Sequence, residues 1–267
     1  MIKAAVCGAA GRMGRRIIHL MKDDEGLVLA GALERAGHPA LGRDAGEVAG
    51  IGPCGVAIGD DAGKAVAEAD VVIDFTSPAS TLAHLRAAAE QGKDMVIGTT
   101  GFSKEEVERL KIMAPYISCV YSPNMSVGVN VLFKILSVIT PILKDYDMEI
   151  IEWHHRFKKD APSGTAMRLA QIMAQSLGKN LEDLTIFGRQ GITGERPSGQ
   201  LGIFAVRAGD IVGEHTVLFG GLGERIEITH KAHSRDNFAR GALLAAKYVV
   251  HADPGLYDML DVLGLKG

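Results

Sequence analysis

The sequence predicts two domains: an α/β domain built on an open parallel sheet, and a second α+β domain with a mixed, largely antiparallel sheet. Three observations predict this. From the first residues to Met125, short apolar runs alternate with segments of helical periodicity, the pattern of a parallel sheet covered by helices. A glycine-rich turn, Gly8-Ala9-Ala10-Gly11-Arg12-Met13-Gly14, falls between the first strand-like run and the first helix, which makes that sheet Rossmann-like. From Thr185 to Lys231 the chain reads as strand after strand, with Gly-rich links and no long helix. The domains are placed at residues 1–126 with 236–267, and at residues 127–235.

Bulk composition narrows the class. With 47% hydrophobic and 23% charged residues the chain is an ordinary globular protein. A net charge of -3 gives no global field for nucleic acid or a membrane surface, and 5% aromatics leaves little to stack on bases. Cys7, Cys54 and Cys119 are odd in number and form no C-x-x-C, so neither a disulfide framework nor a thiolate zinc site is expected. Met1-Ile2-Lys3 leads into a strand without a signal-peptide layout, and no apolar run reaches the roughly 18 residues of a membrane helix. A cytoplasmic location is the expectation.

In chain order, Ile2–Cys7 is an apolar run that reads as a buried parallel strand. Arg15–Lys22 carries Ile17, Ile18 and Met21 at helical spacing. Leu27–Leu33 is the next strand, and the Gly-rich, polar segment His38–Gly55 reads as a long surface loop. Ala62–Ala69 is a helix, Asp70–Phe75 a strand closed by Thr76-Ser77-Pro78, and Ala79–Gln91 an Ala-rich helix. Met95–Ile97, the helix Lys104–Met113 and the strand Ile117–Tyr121 complete the alternation. Beyond Met125, Val127–Leu143 is a long apolar helix, Met148–Trp153 a strand and Ala166–Leu177 a helix. Leu201–Arg207, Gly213–Phe219 and Arg225–Lys231 are the clearest later strands, and Gly188–Gly199 is a polar loop expected to be mobile. Asn237–His251 and Gly255–Leu263 read as helices that return to the first domain, whose sheet needs cover on both faces.

The strand-to-helix context of the glycine turn is the one dinucleotide binding requires, because glycines let the backbone approach a pyrophosphate at a helix N-terminus. The spacing departs from G-x-G-x-x-G by an Ala at its first position and an extra Gly before it, so a tight turn without ligand stays open as an alternative. Glu34 lies twenty residues past Gly14, where such folds place the acid that takes ribose hydroxyls. Arg35 beside it can stack on adenine or pair with a 2′-phosphate, so both NAD and NADP are expected to fit. Gly98, Thr99 and Thr100 form a small-residue strand tip that admits a flat ring such as nicotinamide.

The densest chemistry lies in Glu152-Trp153-His154-His155-Arg156-Phe157-Lys158-Lys159-Asp160-Ala161-Pro162-Ser163-Gly164-Thr165. A strand stops there, passes through imidazoles and cations, and restarts as a helix with Ser163 at its N-cap, which is a place to hold an anion. Imidazoles can move protons near neutral pH. Adjacent His154 and His155 on a strand point to opposite faces and cannot easily chelate one ion, so no metal is expected. One imidazole as proton donor, the other as substrate ligand, and Lys158 with the Ser163-Gly164-Thr165 amides as a grip on carboxylates is the better assignment.

The run E-x-H-H-x-x-K-x-D-A-P-S-G-T-A over residues 152–166 resembles the signature of the 4-hydroxy-tetrahydrodipicolinate reductase (dihydrodipicolinate reductase) family. The glycine turn at residues 8–14, Gly98-Thr99-Thr100-Gly101 and Asn124-Met125-Ser126-Val127-Gly128-Val129-Asn130 look like its other marks, and the resemblance covers nearly the whole chain. It implies a nicotinamide-binding domain joined to a substrate-binding and tetramerisation domain, hence a homotetramer acting in lysine and diaminopimelate synthesis. It implies His154 as general acid, Lys158 as second proton donor and carboxylate partner, and His155, Ser163, Gly164 and Thr165 as substrate ligands. It implies Gly8, Ala9, Ala10, Gly11, Arg12, Met13, Glu34, Arg35, Gly98, Thr99, Thr100, Ser122, Pro123, Asn124 and Met125 as contacts of NADH or NADPH. Ser77 stands where many members carry Arg, which leaves Arg35 as the 2′-phosphate partner, and Met125 stands where some carry Phe.

The expected reaction is reduction of a cyclic, imine-conjugated dicarboxylate with a proton from His154, the two domains closing over the ligands. On the residues alone, another two-domain nicotinamide dehydrogenase and a nucleotide-sensing regulator remain as alternatives. The first shares the glycine turn without needing the His-His-Lys run, and the second needs no proton donor at all.

Overall fold

The computed structural model describes residues 1–266, and the chain splits into two compact units: Met1–Val127 with the C-terminal segment from Arg235, and Gly128–Ser234. The chain opens with β1 (Ile2–Cys7), α1 (Arg12–Met21), β2 (Leu27–Leu33), α2 (Ala45–Ala49), β3 (Ile58–Gly59), α3 (Ala62–Ala67), β4 (Val71–Asp74), α4 (Pro78–Glu90), β5 (Asp94–Ile97), α5 (Lys104–Met113) and β6 (Ser118–Tyr121). It continues with α6 (Val127–Ile139), β7 (Asp147–His154), α7 (Gly164–Ser176), α8 (Leu181–Leu184), β8 (Thr185–Phe187), β9 (Leu201–Arg207), β10 (Gly213–Gly220) and β11 (Arg225–Ala232). It closes with α9 (Asp236–Val249), β12 (Gly255–Tyr257) and α10 (Met259–Val262).

The first unit holds a seven-stranded sheet in the order β12-β6-β5-β4-β1-β2-β3, with every pair parallel. Its central strands are apolar on both faces because helices cover both. Val71, Val72 and Ile73 are all 0% exposed, and burying each such side chain contributes about 1.5–3 kcal/mol. Parallel strands bring the chain ends after β1, β4, β5 and β6 to one edge of the sheet, where such folds take their ligands. At Gly14 a Cβ would lie 2.1 Å from the Gly8 carbonyl oxygen, so only glycine lets α1 start against the turn.

Two expectations need correction here. Gly255–Leu263 is not one helix. Gly255, Leu256 and Tyr257 pair in parallel with Ser118, Cys119 and Val120 as the edge strand of the sheet, and Asp258 then caps α10 through Leu260 N and Asp261 N. The segment His38–Gly55 is not merely loop, for it contains α2. Asp44 organises it by accepting from Gly46 N, Glu47 N, Cys54 N and Gly55 N, and these bonds draw its carboxyl down to about 2.

The second unit has a mixed five-stranded sheet, β11-β10-β7-β9-β8. β7, β10 and β11 run antiparallel, while β9 pairs in parallel with both β7 and β8. Leu132, Phe133 and Leu136 of α6 and Leu169 and Met173 of α7 share one core with Met148, Ile150, Val217 and Phe219 of the sheet. The helix expected to run to Leu143 stops at Ile139, because Pro141 cannot continue it. The Gly188–Gly199 loop carries ion pairs to β7: Arg189 reaches Glu149 at 2.8 Å, and Arg196 reaches Glu149 at 3.1 Å and Asp147 at 2.6 Å.

Candidate active site

Strand alternation builds the site in the second unit. Met148, Ile150, Glu152 and His154 share one face of β7, so the row that feeds the core ends as an acid and an imidazole. Glu152 is 0% exposed and fully engaged. Its carboxylate accepts from Arg207 Nη1 and Nη2, both at 2.8 Å, from Ser163 N at 3.0 Å, and from His154 Nδ1 at 2.5 Å. Burial alone would raise this carboxyl, but the hydrogen bonds from His154 and Arg207 outweigh it and hold it at about 2. Since an ionised carboxylate only accepts, His154 Nδ1 carries the proton of that bond, and Nε2 is the ring atom available for chemistry. Gly213 keeps that atom uncrowded, because a Cβ there would sit 3.0 Å from His154 Nε2.

Lys158 turns back through its N–H on the His155 carbonyl, and its ammonium lies 2.8 and 2.9 Å from the Asp160 carboxylate oxygens. That pairing lowers the Asp160 carboxyl. The Asp160 side chain is 62% exposed, so it is an acid that another carboxylate can replace. His155 keeps a buried Nδ1 without a protein partner. Ser163 caps α7 by accepting from Ala166 N, and its hydroxyl also meets His215 Nε2 at 3.0 Å. With its N–H on Glu152 as well, Ser163 shapes the start of the helix, whereas Gly164 is exposed. His215 stacks edge-on to His154 with ring centroids 5.3 Å apart, and burial followed by the nearby His154 pushes its pKa down to about 3. Glu152, Arg207, Asp160 and His215 were given no role from the sequence.

In the first unit, Gly8, Gly11, Glu34 and Arg35 line a cavity of about 340 Å³ together with Thr76, Ser77, Ser80 and His84. Glu34 accepts from Ala10 N at 3.2 Å and Arg35 N at 3.1 Å, so the acid is fastened to the glycine turn itself. A turn closed to side chains at Gly14, with an acid and a guanidinium at the next strand end, fits an adenine dinucleotide. Ala9 is buried in the turn, Ala10 and Met13 are half-buried, and Arg12 is exposed. Gly98, Thr99, Thr100, Ser122, Pro123, Asn124 and Met125 lie outside this cavity, after β5 and β6 on the same sheet edge. Thr99 and Met125 are buried at 3% and 1%, the Thr99 hydroxyl is committed to Asp74 at 3.0 Å, and Met125 packs in the apolar core.

Among the described residues, one group brings three metal-type donors within 4.8 Å: Cys7, Asp74 and His84. Burial, then the neighbouring Asp74 and Glu34, push the Cys7 thiol well up, and His84 Nδ1 is already on Asp74 at 2.5 Å. Both facts work against a thiolate metal centre. No helix among the described residues is long and apolar enough to cross a membrane.

Residues 2–125 match the family model for the N-terminus of dihydrodipicolinate reductase, and residues 128–263 match that for its C-terminus. A 4-hydroxy-tetrahydrodipicolinate reductase of Syntrophus aciditrophicus is 54% identical over 267 residues, covering 100% of both chains. One from Citrifermentans bemidjiense is 55% identical over the same span and coverage. Among solved structures, a dipicolinate-bound dihydrodipicolinate reductase from Paenisporosarcina sp. TG-14 superposes with a TM-score of 0.76 at 26% identity, covering 98% of each chain. The chain, matched in both of its halves and along its whole length, belongs to the dihydrodipicolinate reductase family.

Proposed function

We propose that this protein reduces 4-hydroxy-tetrahydrodipicolinate to tetrahydrodipicolinate in lysine and diaminopimelate synthesis, using NADH or NADPH, with His154 supplying the proton. The observation that carries the reading is the Glu152–His154 contact beside Lys158 and the capped start of α7: a proton donor held in one orientation next to cationic groups for carboxylates. A bound reduced nicotinamide supplies hydride, and the glycine turn, Glu34 and Arg35 are the groups that hold its adenosine half.

The chain's own residues do the rest. Lys158 exchanges Asp160 for a substrate carboxylate, and the first turn of α7 takes a carboxylate at its positive end. Glu152 fixes the tautomer and tilt of His154, so Nε2 delivers the proton. Glu34 addresses the ribose hydroxyls and Arg35 a 2′-phosphate, which supports use of both cofactors. Self-association is supported by the exposed apolar residues Val131, Ile135, Val138 and Ile142, the last 73% exposed, and the family resemblance makes a homotetramer the assembly we propose.

The test follows NADH and NADPH oxidation separately by absorbance, with purified protein and the condensation product of pyruvate and aspartate semialdehyde. Oxidation of either cofactor that depends on this substrate is the expected result. Oxidation with unrelated carbonyl acids but not with this one would remove the assignment.

A further inference from the structure

We infer that His84 is a cofactor-binding residue that recognises the phosphate on the adenosine ribose, and that Asp74 is the positioning residue that holds it there. The inference rests on the dinucleotide reading of the first unit and extends it to a residue outside the glycine turn and the Glu34-Arg35 pair.

Asp74 ends β4 at the ligand edge of the parallel sheet, yet it is 0% exposed. Its Oδ1 is surrounded by neutral donors: Thr76 N at 3.0 Å and the hydroxyls of Thr76, Thr81 and Thr99 at 2.7, 3.0 and 3.0 Å. Its Oδ2 takes His84 Nδ1 at 2.5 Å. A buried carboxylate is retained where its oxygens are hydrogen-bonded, and His84 Nδ1 satisfies the oxygen that the threonines leave open. The same bond fixes the ring. The His84 side chain is 14% exposed and lines the cavity that also holds Gly8, Gly11, Glu34 and Arg35. With Nδ1 on Asp74, Nε2 is the polar atom the ring offers to that cavity.

The charges around the cavity sort the ligand. Glu34 and Asp60 are its acids, Arg35 and His84 its basic groups, and Cys7 lies beneath as a neutral thiol. Glu34 is fastened to the backbone of the turn and suits hydroxyls, which it can accept from. A phosphate needs donors instead. Ser77 Oγ donates to Ser80 Oγ at 2.9 Å, which leaves the Ser80 hydroxyl proton to donate onward, near His84 on the same helix. Arg35, Ser80 and His84 therefore form a donor set for one phosphate on the ribose, the feature that separates NADPH from NADH.

The test is calorimetric titration of the full chain with NADH, NADPH and adenosine 2′,5′-bisphosphate, for the wild type and for His84→Gln and His84→Arg. His84→Gln is expected to weaken NADPH and the bisphosphate by about tenfold, the worth of one charge-assisted hydrogen bond, and NADH by less than about twofold. His84→Arg, which supplies N–H donors to a phosphate, is expected to recover most of the lost NADPH affinity. Retained NADH binding shows that the variant is folded. Equal weakening of NADH and NADPH, or no change in either, would overturn the assignment. A wild-type chain that binds neither cofactor would instead overturn the proposed function.

Discussion

Each unit carries a buried carboxylate 2.5 Å from a histidine Nδ1: Asp74 with His84 in the first, Glu152 with His154 in the second. Both acids are 0% exposed, and both sit at or near the carboxyl end of a strand. Their remaining partners differ. Asp74 is met by a backbone N–H and three threonine hydroxyls, all uncharged, whereas Glu152 has the Arg207 guanidinium and the Ser163 N–H. Among these partners the Asp74–His84 pair has no further charged side chain, while Glu152 keeps the Arg207 guanidinium whatever His154 carries. The first arrangement suits an imidazole held in one orientation toward a ligand. The second suits a histidine that must give up a proton and regain it, because the acid beneath it is never left uncompensated. The same two residue types stand in different electrostatic settings according to the third group.

Four variants or conditions test that contrast, from the largest expected effect down. His154→Ala is expected to lower turnover by about a hundredfold to ten-thousandfold, the range of general acid catalysis, with cofactor affinity nearly unchanged. Steady-state rates and calorimetry check it, and unchanged turnover removes His154 from its role. Arg207→Leu strips Glu152 of its permanent counter-ion, and a loss of about 3 kcal/mol in urea unfolding is expected, the low end for a broken buried pair because Arg207 is 20% exposed. If stability stays within about 0.5 kcal/mol of wild type, Arg207 is not what separates the two pairs.

Acid titration comes next. The Glu152 pKa is depressed from 4.5 to about 2, so its stabilising contribution is complete above 4.5 and is lost as pH falls toward 2. The His215 pKa is depressed from 6.5 to about 3, so the unfolded chain binds the extra proton between those values and stability also falls with pH there. Thermal midpoints should decline from about pH 6.5 downward, and His215→Asn should flatten the upper part of that slope relative to wild type. An identical slope in the variant would assign the decline to other groups. The smallest effect is expected from Gly213→Ala. It crowds His154 Nε2 and should reduce turnover by about tenfold, with substrate KM changed far less, since only the proton donor is disturbed.

Much of the fold was legible along the chain, because periodicity is a local property. The buried runs Ile2–Cys7, Leu27–Leu33 and Leu201–Arg207 coincide with β1, β2 and β9. The failures were local as well. Gly255–Leu263 carries apolar residues that suit a helix, and only the free edge of β6 makes its first three residues a strand. The helix cap at Ser163 and the clustering of His154, Lys158 and Gly164 were legible because they lie within one short stretch.

Composition and order along the chain were enough to point to the family, the parallel sheet and the residue types of the candidate catalytic stretch, since each is written in spacings shorter than about a helix. The groups that tune those residues are set by strand register. Parallel pairing places Arg207 opposite His154, and antiparallel pairing places His215 opposite Glu152, partners more than fifty residues away in sequence. Asp74 is the more local case: Thr76, Thr81 and His84 lie within ten residues of it, and only Thr99 comes from the end of the neighbouring strand β5. A charge acts over a few ångströms in space, and only the folded chain decides which residues come that close.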